Sequence, residues 1–236
     1  MRASPESGEV KRLKKVYEAY SHKAAIRHRW RLDNPGNQAI ACERRIATFE
    51  VLKKNGYLPL TAVKVLDVGC GSGTELARLA EWGALHQNLY GIDLIPERIE
   101  AANRNYLDLN FQCINAECLP WPDGTFDLVM LFTVFSSMLD DSMAFNVARE
   151  VTRVLKSGGA VVWYDMRYRN PYNRNVHGIT RRRLHQLFPS FRFELRSITL
   201  LPPLARRLGK LIPLLYPLLV RIPSLRTHYL GLLTKP

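Results

Sequence analysis

The chain has 236 residues, 47% of them apolar and 23% charged, a balance that allows a buried core and excludes disordered and fibrous classes. Its longest apolar run, Leu211–Val220, spans ten residues and is interrupted by Pro213 and Pro217, about half of the roughly 20 that a bilayer-spanning helix needs. The net charge of +13 is uneven, with +7 in residues 1–54, −6 in 55–159 and +12 in 160–236, so basic flanks border an acidic middle and favour an anionic acceptor, a membrane surface or a nucleic acid near the flanks.

In chain order, Met1–Tyr20 is polar and charged, so no secretory leader is expected. Val10, Leu13, Tyr17 and Tyr20 share one helical face, which predicts a helix within residues 10–30. Asp33-Asn34-Pro35-Gly36-Asn37 reads as a turn, followed by a helix over Ala39–Lys54; residues 1–58 are expected to form a helical cap. From residue 59 onward the pattern alternates. Short strands are expected at 63–68, 88–93, 110–114, 126–132 and 160–166. Helices are expected at 74–82, 96–106 and 142–155, and a turn at Lys156-Ser157-Gly158-Gly159. This alternation predicts an α/β domain, a doubly wound and mostly parallel sheet with helices on both faces.

Cys42, Cys70, Cys113 and Cys118 form no C-x-x-C pair. Reduced thiols in a cytoplasmic protein are therefore expected, with no metal site.

The first strand runs into Asp67-Val68-Gly69-Cys70-Gly71-Ser72-Gly73 and opens a helix. Glycines let the backbone turn tightly and approach a ligand closely. Asp93 follows Gly73 by 20 residues at the end of the next strand, the separation at which a carboxylate grips a ribose diol in such folds. The spacing is G-x-G-x-G, not the dinucleotide G-x-G-x-x-G. Asp67, two residues before the first glycine, would repel a pyrophosphate but suits a cationic ligand.

These residues resemble the signature of class I S-adenosylmethionine-dependent methyltransferases. The likeness continues through Gly91-Ile92-Asp93, Asn115-Ala116-Glu117-Cys118-Leu119-Pro120-Trp121-Pro122, Phe126-Asp127-Leu128-Val129 and Glu150-Val151-Thr152-Arg153-Val154-Leu155-Lys156-Ser157-Gly158-Gly159. Together these cover about residues 60–165 in the family's order. The resemblance implies a seven-stranded Rossmann-like sheet, whose last two strands, here 191–200 and 227–235, form a hairpin around a helical insertion at about 202–226. It implies S-adenosyl-L-methionine as cofactor. Gly69, Cys70, Gly71 and Gly73 would pass under the methionine and ribose, with Asp67 toward the amino group. Asp93 and Leu94 would lie at the ribose. Asn115, Ala116 and Glu117 would flank the adenine, Asn115 replacing the acidic residue of many relatives. Phe132 and Thr133 would wall the methyl-bearing sulfur.

The histidine that many relatives carry after the fourth strand is replaced by Ser137. Asp165, Tyr17 and Tyr20 are the candidate catalytic groups, with His22 and His177 as further bases. Asn170-Pro171-Tyr172 follows the fifth strand, not the fourth, so it is not equated with the Asn-Pro-Pro-Tyr motif of amino-methylating nucleic-acid enzymes. The expected reaction is methyl transfer to an O or N atom of a small or lipid- or sugar-linked acceptor. An RNA methyltransferase is the second reading, disfavoured by the lack of an aromatic-basic stacking run. A non-catalytic S-adenosylmethionine-binding protein is the third. Residues 202–226, with Arg206, Arg207 and Lys210 beside the apolar run, are expected either to pack on the core or a second copy, or to touch a membrane surface peripherally.

Overall fold

The computed structural model describes residues 7–22, 31 and 33–236. Its centre is a seven-stranded sheet of order β3-β2-β1-β4-β5-β7-β6. The strands are β1 (Val65–Val68), β2 (Leu89–Asp93), β3 (Asn110–Cys113), β4 (Phe126–Phe132), β5 (Leu155–Met166), β6 (Arg192–Leu200) and β7 (Arg226–Thr234). The first five pair in parallel, and β7 runs antiparallel between β5 and β6. This is the doubly wound architecture that the alternating pattern predicts.

The helices are α1 (Gly8–His22), α2 (Pro35–Lys54), α3 (Thr74–Glu81), α4 (Pro96–Asn105), α5 (Asp141–Val154), α6 (Arg181–Leu187), α7 (Pro202–Arg207) and α8 (Ile212–Leu219). Residues 23–30 of the expected first helix lie outside the described residues. Two expectations are corrected. Asn34 and Pro35 are not a turn before a helix at residue 39 but the start of α2 itself. The Asn34 side chain accepts from the Gly36 N–H at 2.9 Å, and Pro35 takes the first helical position, where its missing N–H costs nothing. The expected turn at residues 156–159 lies inside β5 as a bulge: Leu155 pairs with Phe126 and Ala160 with Leu128. Gly158 supplies the left-handed backbone (φ +76°) that this kink requires.

Burial explains the layers. β1 and nearly all of β4 are buried, as expected for strands covered on both faces. Along β5, Val161 and Trp163 join α5 and α6 on one face. Val162 and Tyr164 join α2, α3 and α4 on the other. α5 presents Met143, Val147 and Val151 at helical spacing to the first face, and Asp140 caps it by accepting from Met143 N–H at 2.7 Å. A third, smaller cluster joins Ile40 of α2 to Leu200, Ala205, Ile212 and Tyr216.

Candidate active site

A cavity opens where β1, β2 and β4 end, at the carboxyl edge of the parallel sheet where ligands of such folds bind. It has two lobes that share Tyr17, Gly69, Ile95, Arg98, Phe132 and Thr133.

The larger lobe, about 550 Å³, lies along the glycine loop and is lined by Asp67, Cys70, Gly71, Arg44 and Glu75. The loop's shape follows from its hydrogen bonds. Gly69 and Cys70 N–H both donate to Ile92 O, at 2.7 and 2.9 Å, and Gly73 N–H donates to Cys70 O. Gly71 N–H donates to Asp93 Oδ2 at 3.0 Å. These four donors are therefore used internally and are not free to form a nest around a phosphate. Gly71 has a left-handed backbone (φ +56°), and a Cβ there would project into open space beside the cavity.

Charge in this lobe has both signs. Asp67 is buried, and burial, with Glu75 and Asp93 adding, raises its carboxyl well above the usual range against the opposing Arg44. Burial also pushes the Cys70 thiol up. Arg44 reaches in from α2, pairs with Glu75 and sits over the rings of Phe132 and Tyr164 at 5.6 and 5.2 Å. Arg78 holds Glu75 from its other oxygen at 2.6 Å. Arg44 Nε is buried without a hydrogen-bond partner among the described residues, a donor that a carboxylate in the lobe would satisfy.

The smaller lobe, about 110 Å³, is bounded by Asp93, Leu94, Asn115, Ala116 and Met138, with Leu13 and Tyr17 of α1 reaching into it. Asp93 organises its rim. Its carboxylate accepts from Gly71 N–H and, at 3.0 Å, from Ile95 N–H, and Arg98 Nη1 lies 3.5 Å away. The same guanidinium stacks 4.1 Å over the Tyr17 ring. Tyr17 Oη meets Ser137 Oγ at 2.9 Å, so the serine that replaces the family histidine is a docking point for α1. Two further contacts hold α1 down: Arg12 donates to Ser137 O at 2.6 Å, and Glu9 accepts from Leu139 N–H at 2.7 Å. Hydrogen bonding to Arg12 keeps the Glu9 carboxyl below its ordinary range.

Where β4 ends, Thr133 adopts φ +57°, a conformation costly for a β-branched residue. Its N–H donates to Tyr164 O at 2.7 Å, which pins the turn and leaves Phe132 and Thr133 as a wall shared by both lobes.

All the sequence-predicted cofactor residues except Gly73 and Glu117 line this cavity. A Cβ on Gly73 would meet the Phe111 ring at 2.5 Å, so that glycine makes room for core packing. Glu117 accepts from Asn115 and Asn146 side chains at 3.1 and 3.0 Å and thereby orients Asn115. Among the catalytic candidates, Tyr17 lines both lobes, whereas Tyr20 Oη bonds Asn173. Asp165 is 1% exposed and lies outside the lining. Its carboxylate accepts from Ser136 N–H at 3.0 Å and from its own following N–H at 2.7 Å, and burial pushes it up to about 6. His177 is half-buried with its imidazole lowered by burial, also off the lining, while His22 borders the larger lobe. Arg44, Arg98 and Leu13 are site residues that sequence reasoning missed.

The comparisons with known proteins agree with this geometry. A family model described as a methyltransferase domain matches residues 65–159. An uncharacterized methyltransferase of Synechocystis is 30% identical over 151 residues, covering 61% of this chain and 68% of that protein. A sterol 4-C-methyltransferase of Caenorhabditis elegans is 29% identical over 119 residues, 48% of this chain and 34% of that protein. A solved structure of a putative sarcosine dimethylglycine methyltransferase from Galdieria sulphuraria superposes with a TM-score of 0.62 at 14% identity, covering 82% of this chain and 85% of that one, a likeness of fold. The chain spans between a third and about half the length of several curated relatives it matches. The chain belongs to the class I S-adenosylmethionine-dependent methyltransferases. The cofactor of that family is S-adenosyl-L-methionine, and the site's chemistry fits it: acids for its ammonium and ribose diol, Arg44 for its carboxylate, and the Leu94, Ala116 and Met138 walls for its purine.

Proposed function

We propose that the protein transfers a methyl group to an oxygen or nitrogen atom of a small or lipid- or sugar-linked acceptor. The observation that carries this reading is the mixed-charge cavity on a glycine loop that spends the N–H groups of Gly69, Cys70, Gly71 and Gly73 internally, which suits an amino acid joined to a nucleoside better than a phosphate. Bound there, S-adenosyl-L-methionine supplies an electrophilic methyl group. Asp93 would hold its ribose, Asp67 and Glu75 its ammonium, Arg44 its carboxylate, and Asn115 and Ala116 its adenine.

The protein's own contribution is alignment and exclusion of water. Phe132 and Thr133 shape the wall that the acceptor must approach. The Tyr17 ring, fixed between Arg98 and Ser137, closes the opposite side. Asp165 would act through position, holding the segment after β4 by its bond to Ser136. With that carboxylate engaged inside the fold, an acceptor atom that ionises readily suits the site best; His22, with the carboxylates Glu18 and Glu97 on the same lobe, is the lining group able to accept a proton from one that does not. A relative named for a sterol supports an apolar acceptor, and the acidic side chains Glu18 and Glu97 beside the larger lobe disfavour RNA.

Titration calorimetry with S-adenosylmethionine and S-adenosylhomocysteine tests the reading. Wild type is expected to bind both, and Asp93→Ala to bind roughly 10- to 100-fold more weakly, the scale of lost hydrogen bonds to a charged group. Absence of binding by folded wild type overturns the proposal. Given binding, transfer of labelled methyl to a panel of hydroxyl, amine and quinol acceptors separates an enzyme from a binding protein.

A further inference from the structure

The insertion between β6 and β7 has two apolar faces, and only one is covered. Ile212 and Tyr216 of α8 pack on Ile40, Leu200 and Ala205. On the other side Leu211, Leu214, Leu218 and Ile222 are 45–65% exposed. Leu214 and Leu218, four residues apart in α8, share one helical face, and Leu211 and Ile222 flank the two ends of the helix to extend the apolar stripe. Pro213, Pro217 and Pro223 are exposed beside the stripe, and α8 carries no charge. Scattered apolar side chains are ordinary on a surface, but a contiguous stripe is not.

The insertion's own charge has one sign. Residues 195–236 contain no Asp or Glu, and Arg207, Lys210 and Arg221 are exposed around the stripe. An apolar stripe ringed by cations complements a surface that is hydrocarbon beneath and anionic on top.

Its position ties it to the site. β6 runs parallel to β5, because both are antiparallel to β7. The insertion therefore leaves and rejoins the sheet at the carboxyl edge, where the cavity opens. It also grips the helix that lines the cavity. Gly36 of α2 packs so closely on Ala205 that a Cβ would fall 2.4 Å from its carbonyl oxygen. Tyr216 Oη donates to Glu43 at 2.7 Å, and Glu43 is the immediate neighbour of Arg44.

We infer that residues 201–226 dock the protein on anionic lipid bilayers and hold the cavity mouth at the membrane surface. The cations meet lipid headgroups, and Leu211, Leu214, Leu218 and Ile222 enter the boundary with the acyl chains. If the methyl-transfer reading holds, on which this clause alone rests, the acceptor is a molecule dissolved in or anchored to that bilayer.

The test is co-sedimentation of the full chain with vesicles of phosphatidylcholine alone and with 30% phosphatidylglycerol, at low and high salt. Retention is expected on the anionic vesicles at low salt. Lys210→Ser and Arg221→Ser should each weaken it about fivefold, and high salt should weaken it further. Leu214→Asp with Leu218→Asp should abolish retention while S-adenosylhomocysteine binding stays at the wild-type value, which shows the variant folded and keeps the cofactor reading separate. No retention of a cofactor-binding wild type on anionic vesicles overturns the inference. So does sedimentation equilibrium showing a dimer that the same two aspartates dissociate, without vesicle retention, for then the stripe joins two copies.

Discussion

At the scale of single residues, Thr133 is one whose conformation costs stability for the sake of the wall it forms. Thr133→Gly relieves a left-handed strain of about 1 kcal/mol and is expected to raise the unfolding midpoint in urea while lowering kcat; an unchanged kcat would show that Thr133 does not shape the wall. The site was legible where its chemistry is local in the chain. The glycine loop and Asp93 could be read because a turn and the strand end beside it determine what they do. Arg44 and Arg98 could not: Glu75, Phe132 and Tyr164 are far from Arg44 in the chain, Tyr17 is far from Arg98, and nothing in a charged helix marks which side chain turns inward. Gly73 shows the converse: spacing placed it with the ligand, but the direction its Cβ would take is toward Phe111. Asp165 stands at a strand end on the cofactor side, and only the course of the chain after β4 decides that its oxygens serve Ser136.

At the scale of elements, the first five strands and their succession along the chain followed from the sequence pattern, because buried parallel strands need β-branched and aromatic runs and alternate with helices; the final hairpin followed from the family resemblance, and the order within the sheet from neither. Boundaries were harder. Asn34 and Pro35 serve equally well in a turn or as a helix start, and Gly158-Gly159 serve equally well in a turn or a bulge; in each case neighbouring elements decide. The apolar face read in α1 is the one that docks, with Val10 and Leu13 buried in the main core and Tyr17 packed against it; periodicity did not show the polar contacts that add to it. Arg12 and Glu9 clamp the segment after β4, and Tyr17 is sandwiched by Arg98. Removing the Arg12 contacts should cost α1 about 1–2 kcal/mol of docking. Arg12→Ala is therefore expected to speed dissociation of S-adenosylhomocysteine by roughly 5- to 30-fold in stopped-flow measurements, with the global unfolding transition little changed. An unaltered dissociation rate would show that α1 does not control the cavity.

At the scale of the whole molecule, two buried groups on neighbouring strands give stability opposite dependences on pH. Burial lowers His228 to about 3 from an ordinary 6.5, its ring stacked 4.7 Å from Tyr164. The unfolded chain takes up this proton first. The stability it contributes is full above about pH 6.5 and is lost as the pH falls toward 3. Asp165, raised from 3.8 to about 6, contributes stability below 3.8 that is lost as the pH rises through 6. Between about pH 6 and 4 the two therefore offset each other. His228→Phe leaves only the second, so its stability relative to wild type should grow by roughly 1 kcal/mol for each unit of pH lowered in that window. Urea unfolding at pH 7, 5.5 and 4.5 measures this, and a constant difference would contradict the burial of a neutral imidazole.

The smaller lobe of the cavity is narrower than the roughly 300–1,000 Å³ of ordinary ligand pockets, and α1 is what narrows it. If α1 must lift before a nucleoside enters or leaves, as Arg12→Ala tests, each round of methyl transfer contains a first-order opening whose rate is a property of the protein alone. That step would set a ceiling on turnover which no concentration of acceptor can raise, and it would make the spent cofactor a slow-leaving inhibitor of the next round.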